Sequence, residues 1–365
     1  MLTLAMASPS LARGEGDSTL GLPALAPLSS SSNEATVRLG QQLFFDTRLS
    51  VDGRVSCAKC HVPELAFTDH RAHPLGHDDR PGTRNAPSLL NAAYLGSLFW
   101  DGRARDLESQ AVAPLMNPVE HGFLSASAVL QPIVQDARYR EEFAGAFGVN
   151  GAHIDLSLVA RALSAFERTL ITAGSPLDRY LYGHDQRAMT PQAIRGLDLF
   201  RHRAQCASCH SIGEASALLT DLGFHVSPVR LPAEVTSQLG ALTSKVVAAQ
   251  EAGSQRELER LIATDERIAA LGRFVVTLRP ADIGKFKTPS LRNVALTPPY
   301  MHDGSVATLE QAVDLELYAR GGSLNYPLAL TADERRDLLE FLKALTSYNA
   351  RDSKRTSIDT QRPSQ

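Results

Sequence analysis

The sequence predicts a mainly α-helical protein of two tandem domains, with irregular loops and a helical insertion in the second. Three observations carry this reading. The pattern Cys-x-x-Cys-His occurs twice, at Cys57-Ala-Lys-Cys60-His61 and Cys206-Ala-Ser-Cys209-His210. A helix precedes each motif, containing Gly40-Gln-Gln-Leu43-Phe44 in one case and Gly196-Leu-Asp-Leu199-Phe200 in the other. An amphipathic helix then closes each half, through Leu163, Phe166 and Leu170 and through Leu338, Leu342 and Leu345. Helical spacing alone would mean only a packed core; its repetition around both motifs is what implies a duplicated domain.

The chain has 365 residues, enough for two domains that each bury a core. Its formal net charge of -3 gives no reason to expect nucleic-acid binding. No apolar run is long enough to span a bilayer.

In chain order, residues 1–33 read as leader and linker. Met1 to Arg13 is signal-like in its small residues, although it lacks a basic start, and residues 14–33 are rich in Ser, Gly, Pro and Ala. Residues 34–172 form the first domain and 173–189 a linker. The second domain, 190–348, opens cleanly, with Thr190 as N-cap and Pro191 at the first helical position. Within it, residues 232–271 form an amphipathic helical insertion that includes Glu257, Leu258, Glu259, Leu261 and Ile262 and receives no chemistry. Thr331 and Glu334 form a capping box for the closing helix. The tail, 349–365, is polar and reads as disordered.

All four cysteines lie in the two motifs, so none is left for a structural disulfide. Two cysteines three positions apart can each bond one vinyl group of a porphyrin, and the histidine that follows then sits under the iron. A four-cysteine zinc site is the competing reading. It leaves two histidines at the same offset unexplained and must join pairs almost 150 residues apart. Two covalently attached c-type haems, in cytochrome c-like domains, follow. Thioether attachment takes place outside the cytoplasm in bacteria, so the chain is expected to be exported to the periplasm. Two haems do not separate an electron carrier from an enzyme, because an enzyme additionally needs an iron position that can open and acid–base groups above it.

Four further blocks bear on that choice: Gln42-Leu-Phe-Phe-Asp-Thr-Arg-Leu-Ser50, Arg84-Asn-Ala-Pro-Ser88, Phe99-Trp-Asp-Gly-Arg103, and Pro289 through Gly304. With these the chain, from about Gly40 to Leu345, resembles the bacterial di-haem cytochrome c peroxidase/MauG family. The resemblance implies a peroxidatic N-terminal haem and an electron-transfer C-terminal haem. Trp100 matches a tryptophan lying between the haems, where a lone tryptophan would otherwise be read as a core anchor. Glu120 matches a distal glutamate that promotes O–O cleavage, and Gln110 and Pro114 match other residues of that pocket. His77 matches a removable distal histidine, with His70 and His73 close enough in sequence to compete. For the C-terminal haem the family uses methionine or tyrosine. Glu316 stands at the methionine's usual distance from Leu309, so Tyr318, which precedes Ala-Arg-Gly-Gly322, is the expected sixth ligand, with Met301 as the alternative. A calcium ion held by the Asn85 side chain and the carbonyls of Thr297 and Pro299 is also implied.

The expected activity is reduction of hydrogen peroxide to water with electrons from a small cytochrome c or a cupredoxin. One alternative is a MauG-like oxidase that acts on a partner protein by long-range electron transfer, and a second is a non-catalytic di-haem carrier. Members of the family are often dimers, so a homodimer is also an expectation.

Overall fold

The structure, a computed structural model, describes residues 19–24, 33–324 and 328–349. Most of the leader, residues 350–365 of the tail, and the proposed signal segment lie outside the described residues.

Each half is framed by a crossed pair of helices. Helix α1, Glu34–Phe45, starts where the Asn33 side chain accepts a hydrogen bond from Thr36 N–H at 2.8 Å. Helix α2, Leu107–Val112, is capped reciprocally by Asp106 and Ser109. Helix α3, Leu156–Glu167, is capped by Asp155, whose carboxylate accepts from Leu158 N–H at 3.0 Å. α1 and α3 cross at Gly40, where any Cβ would overlap the Ala162 carbonyl oxygen, so only glycine allows the approach. One turn on, Phe44 meets Phe166 with ring centroids 5.1 Å apart.

The second half repeats the device. Helix α4, Pro191–Arg201, is capped by Thr190 with Pro191 in its first turn. Helix α5 spans Leu309–Leu324. Helix α6, Ala332–Lys343, carries the Thr331–Glu334 capping box. α4 crosses α6 at Gly196, whose Cβ would overlap the Asp337 carbonyl, and Phe200 meets Phe341 at 4.9 Å. The fold is therefore mainly helical. Its only sheet among the described residues pairs strand β1, Phe224–Val226, antiparallel with β2, Lys285–Lys287, with Phe224 opposite Lys287.

The insertion is helical over Ala233–Ser237, Leu239–Glu251 and Gln255–Thr264. It has a core of its own, in which Val235, Leu242, Val246, Leu258, Ile262 and Phe274 are buried.

A second duplication lies between the framing helices. Pro87-Ser88-Leu89 and Asn91 have counterparts 202 positions on, Pro289-Ser290-Leu291 and Asn293. Both asparagines are left-handed, with φ of 62° and 61°. Asn91 N–H donates to Leu170 O at 2.8 Å and Asn293 N–H to Leu345 O at 3.1 Å, which pins each loop to the end of its closing helix. The same offset relates the antiparallel bridges Leu98–Ala104 and Tyr300–Val306, and then the first residues of α2 and α5, Leu107 and Leu309. The two helices thus leave equivalent loops at equivalent positions.

Candidate functional site

The two motifs form tight turns, a one-turn helix at Cys57–Cys60 and a 3-10 turn at Cys206–Ser208. In both, the following histidine is oriented by a backbone carbonyl. His61 Nδ1 lies 3.1 Å from Phe67 O, and His210 Nδ1 lies 3.0 Å from Leu219 O. A proton held on Nδ1 leaves Nε2 as the lone-pair donor, the arrangement that metal-binding histidines require. Burial keeps both imidazoles neutral, depressing His61 and bringing His210 down to about 4. Burial pushes the Cys60 thiol up to about 12 and Cys206 to about 11. Among the described residues no grouping with metal-binding geometry contains more than one of the four cysteines, which removes the four-cysteine zinc alternative.

A continuous cavity of about 910 Å³ joins the two turns. His61 and His210 line it, together with Trp100, Gln110, Pro114, Glu120, Met301 and Glu316. Two neutral, pre-oriented imidazoles on one large, mainly apolar cavity, each beside a pair of thiols, fit two attached haems.

Trp100 bridges the halves. Its indole N–H donates to Asn85 O at 2.9 Å, and its carbonyl accepts from Lys287 N–H at 2.8 Å. A buried charge network braces this seam. Asp101, fully buried, meets Arg84 at 2.6 Å and Arg103 at 3.0 Å, and Arg103 meets Glu259 of the insertion at 3.0 Å. Burial would raise the Asp101 carboxyl, but Arg103 and Arg84 hold it down at about 2. Lys287, desolvated here, is brought down to about 8, with Asp101 opposing that shift.

On the N-terminal side, α2 carries Gln110 and the next turn opens with Pro114. Burial lifts the Glu120 carboxyl to about 7, against the pull of Arg103. Asn117 Nδ2 donates to Glu120 Oε1 at 2.6 Å and fixes its direction. A carboxyl that titrates near neutrality can both give and take a proton. Sequence reasoning missed Asn117, which carries no motif of its own. It also missed Glu167, only 5% exposed, on the cavity wall. Burial raises its carboxyl to about 8, and its Oε2 has no hydrogen-bond partner. Its signal was an acid on the apolar stripe of Leu163, Phe166 and Leu170.

Two expected ligands lie elsewhere. His77 does not line the cavity; its Nε2–H donates to Pro118 O at 2.7 Å and its Nδ1 lies 3.2 Å from Asp78. His70 is turned to Leu296 O and His73 to Glu266, so neither replaces it. Tyr318 is 69% exposed and outside the cavity. The cavity face of α5 is Leu309, Ala312, Val313, Glu316, Leu317, Ala319 and Arg320, and at 3.6 residues per turn position 318 falls about 180° from the centre of that stripe. Burial raises the Glu316 carboxyl, against Arg320. Of the expected calcium donors, Asn85, Thr297 and Pro299 all border the cavity, and Asn85 Nδ2 donates to Arg71 O at 2.8 Å, which leaves its side-chain oxygen as an acceptor.

Residues 34–186 match the family model described as di-haem cytochrome c peroxidase. The chain is 34% identical over 318 residues to the cytochrome c551 peroxidase of Nitrosomonas europaea, covering 86% of this chain and 80% of that one. It is 34% identical to the methylamine utilization protein MauG of Methylophilus methylotrophus, over 79% and 74% of the two chains. Among solved structures, a MauG-like protein associated with microbial copper homeostasis superposes with a TM-score of 0.72 at 32% identity, over 93% of this chain and 99% of that one.

Proposed function

Because the chain belongs to the di-haem cytochrome c peroxidase/MauG family and is an enzyme of that peroxidase class, we propose that it reduces hydrogen peroxide to water in the periplasm. Electrons would come from a small cytochrome c or a cupredoxin. The observation that carries this reading is Glu120, a buried carboxyl poised near neutrality, held by Asn117 on the cavity that His61 also lines.

Haem, attached through Cys57 and Cys60 and through Cys206 and Cys209, would supply the metal that binds peroxide and carries electrons. The chain's own residues do the rest. His61 and His210 each offer Nε2 to an iron. Glu120, whose carboxyl titrates near neutrality, would pass a proton from one peroxide oxygen to the other. Gln110 offers an amide to the bound oxidant, and Pro114 keeps that wall apolar and without a ligand. Trp100, hydrogen-bonded across the seam, lies on the route by which electrons entering the C-terminal half reach the N-terminal half. Calcium held by Asn85, Thr297 and Pro299 would stiffen the same wall.

Steady-state peroxide reduction with a reduced cytochrome c or cupredoxin tests the reading. Glu120→Gln is expected to lower kcat by about 10²–10⁴-fold. A loss below about tenfold would remove Glu120 from its role. A second reading, a MauG-like oxidase acting on a partner protein, draws support from His77: turned to Pro118, it leaves no histidine but His61 from the N-terminal half on the cavity.

A further inference from the structure

We propose that the Glu316 carboxylate is the distal ligand of the iron bound at His210. The inference rests on haem attachment in the reading above, and not on peroxide chemistry.

Helix phase supplies the first argument. α5 turns Glu316 into the cavity and Tyr318 away from it, and among the cavity-facing side chains of α5 Glu316 alone carries an atom that commonly ligates iron. Internal duplication supplies the second. The 202-residue offset that relates Asn91 to Asn293 and Leu107 to Leu309 relates Pro114 to Glu316. The two loops are superimposable in kind: matching left-handed asparagines, matching bridges, and a histidine beside Pro87 in one half and Pro289 in the other. The first half therefore puts a residue that cannot coordinate metal where the second half puts a carboxylate.

Tethering is the third argument. Arg320, one turn beyond Glu316 and 3.8 Å from it, donates to Gln205 O and Ser208 Oγ, both at 3.0 Å. This fastens the Glu316 segment of α5 to the turn that bears Cys206 and Cys209. Among the described residues, the ion pair of Glu316 with Arg320 spans 3.8 Å, beyond hydrogen-bond distance. Met301, the alternative, occupies the place of Phe99 in the duplication rather than a helix position. Its loop is committed to the seam, where His302 stacks on Phe286 at 3.6 Å and His302 O accepts from Asn85 N–H.

A carboxylate oxygen holds ferric iron at a lower potential than a thioether does, so the two haems should differ in kind. The test is spectroscopic, on the holoprotein, with haem content counted first. Glu316→Gln should shift the EPR signal of the C-terminal haem and leave that of the N-terminal haem in place. Glu316→Met should raise the potential of the C-terminal haem and introduce a thioether-to-iron charge-transfer band. Tyr318→Phe and Met301→Leu should change neither signal. An unchanged EPR spectrum and potential in Glu316→Gln, with both haems attached, would overturn the assignment, as would loss of the C-terminal signal in Met301→Leu or Tyr318→Phe. Protein carrying only the N-terminal haem would overturn the two-haem reading instead, and the assignment with it.

Discussion

The N-terminal and C-terminal halves use one frame for two different sites. In each, a capped helix crosses the closing helix at a glycine, and a phenylalanine one turn later locks the crossing: Gly40 and Phe44 against Phe166, Gly196 and Phe200 against Phe341. In each, a left-handed asparagine ties the middle loop to the end of that closing helix. Apart from the insertion in the second half, the divergence that bears on chemistry lies at cavity-facing positions. Gln110, Pro114 and Trp100 of the first half stand where Ala312, Glu316 and His302 stand in the second. On the closing helices, Glu167 follows Phe166 where Leu342 follows Phe341. Packing constrains the frame, since its interlocked residues have no space for change. The cavity walls carry no such constraint, and there the two copies have taken different chemistries.

Equivalence of the frames is the most breakable part of this comparison. Phe44 and its counterpart Phe200 are both buried. Phe44→Ala and Phe200→Ala should each destabilise the protein by about 3–5 kcal/mol. Denaturant titration of the two holoproteins would read this, with the spectrum of each haem reporting its own half. A loss well below that range for one variant alone would mean that the two crossings are not energetically alike.

Much of the frame was legible because its determinants are local. The motif pairs, the Thr190-Pro191 start, the Thr331–Glu334 box and the apolar stripes each sit within one or two helical turns. Glu120 was legible only through its block, since its carboxyl depends on burial and on Asn117. The seam was not legible: Arg103 reaches Glu259 across 156 positions, and nothing in either segment announces the other. His77 has the expected spacing from His61, but its ring is claimed by the Pro118 carbonyl, a tertiary contact. Tyr318 is a different kind of miss. The Ala-Arg-Gly-Gly context pointed to it, whereas the helical phase of Leu309, Val313, Glu316 and Leu317 already put it on the outer face.

Glu167 sharpens the comparison, because the second half has leucine at that place. Its folded-state carboxyl titrates at about 8, above the ordinary 4.5. A raised value means that the folded protein prefers the protonated acid. The associated stability is complete below about 4.5 and is lost as pH rises through about 8. Glu167→Gln removes the titration and keeps the shape. The variant should come close to the parent near pH 5 and exceed it by several kcal/mol near pH 9, where the buried carboxyl must ionise, at about 1.4 kcal/mol for each pKa unit of the shift. Thermal unfolding at the two pH values checks this, and a constant difference between parent and variant would contradict it.

The smallest effect concerns how two of the framing helices begin, the opening helix of the first half and the closing helix of the second. Asn33 starts α1 with a single side-chain acceptor, at 2.8 Å from Thr36 N–H, whereas Thr331 and Glu334 cap α6 reciprocally, at 3.2 and 2.7 Å. Asn33→Ala and Thr331→Ala should each cost about 1 kcal/mol. Their second partners behave differently. Glu334→Ala should add a further loss at α6, because it frees the Thr331 N–H, whereas at the corresponding position of α1 the Thr36 hydroxyl donates to Asn33 Oδ1 at 2.9 Å, so its removal frees no backbone N–H. Amide hydrogen exchange at Thr36 and at Glu334 would show the opening of each first turn separately. Equal protection at Glu334 in the parent and in Thr331→Ala would mean that packing against α4, rather than the cap, holds the start of α6.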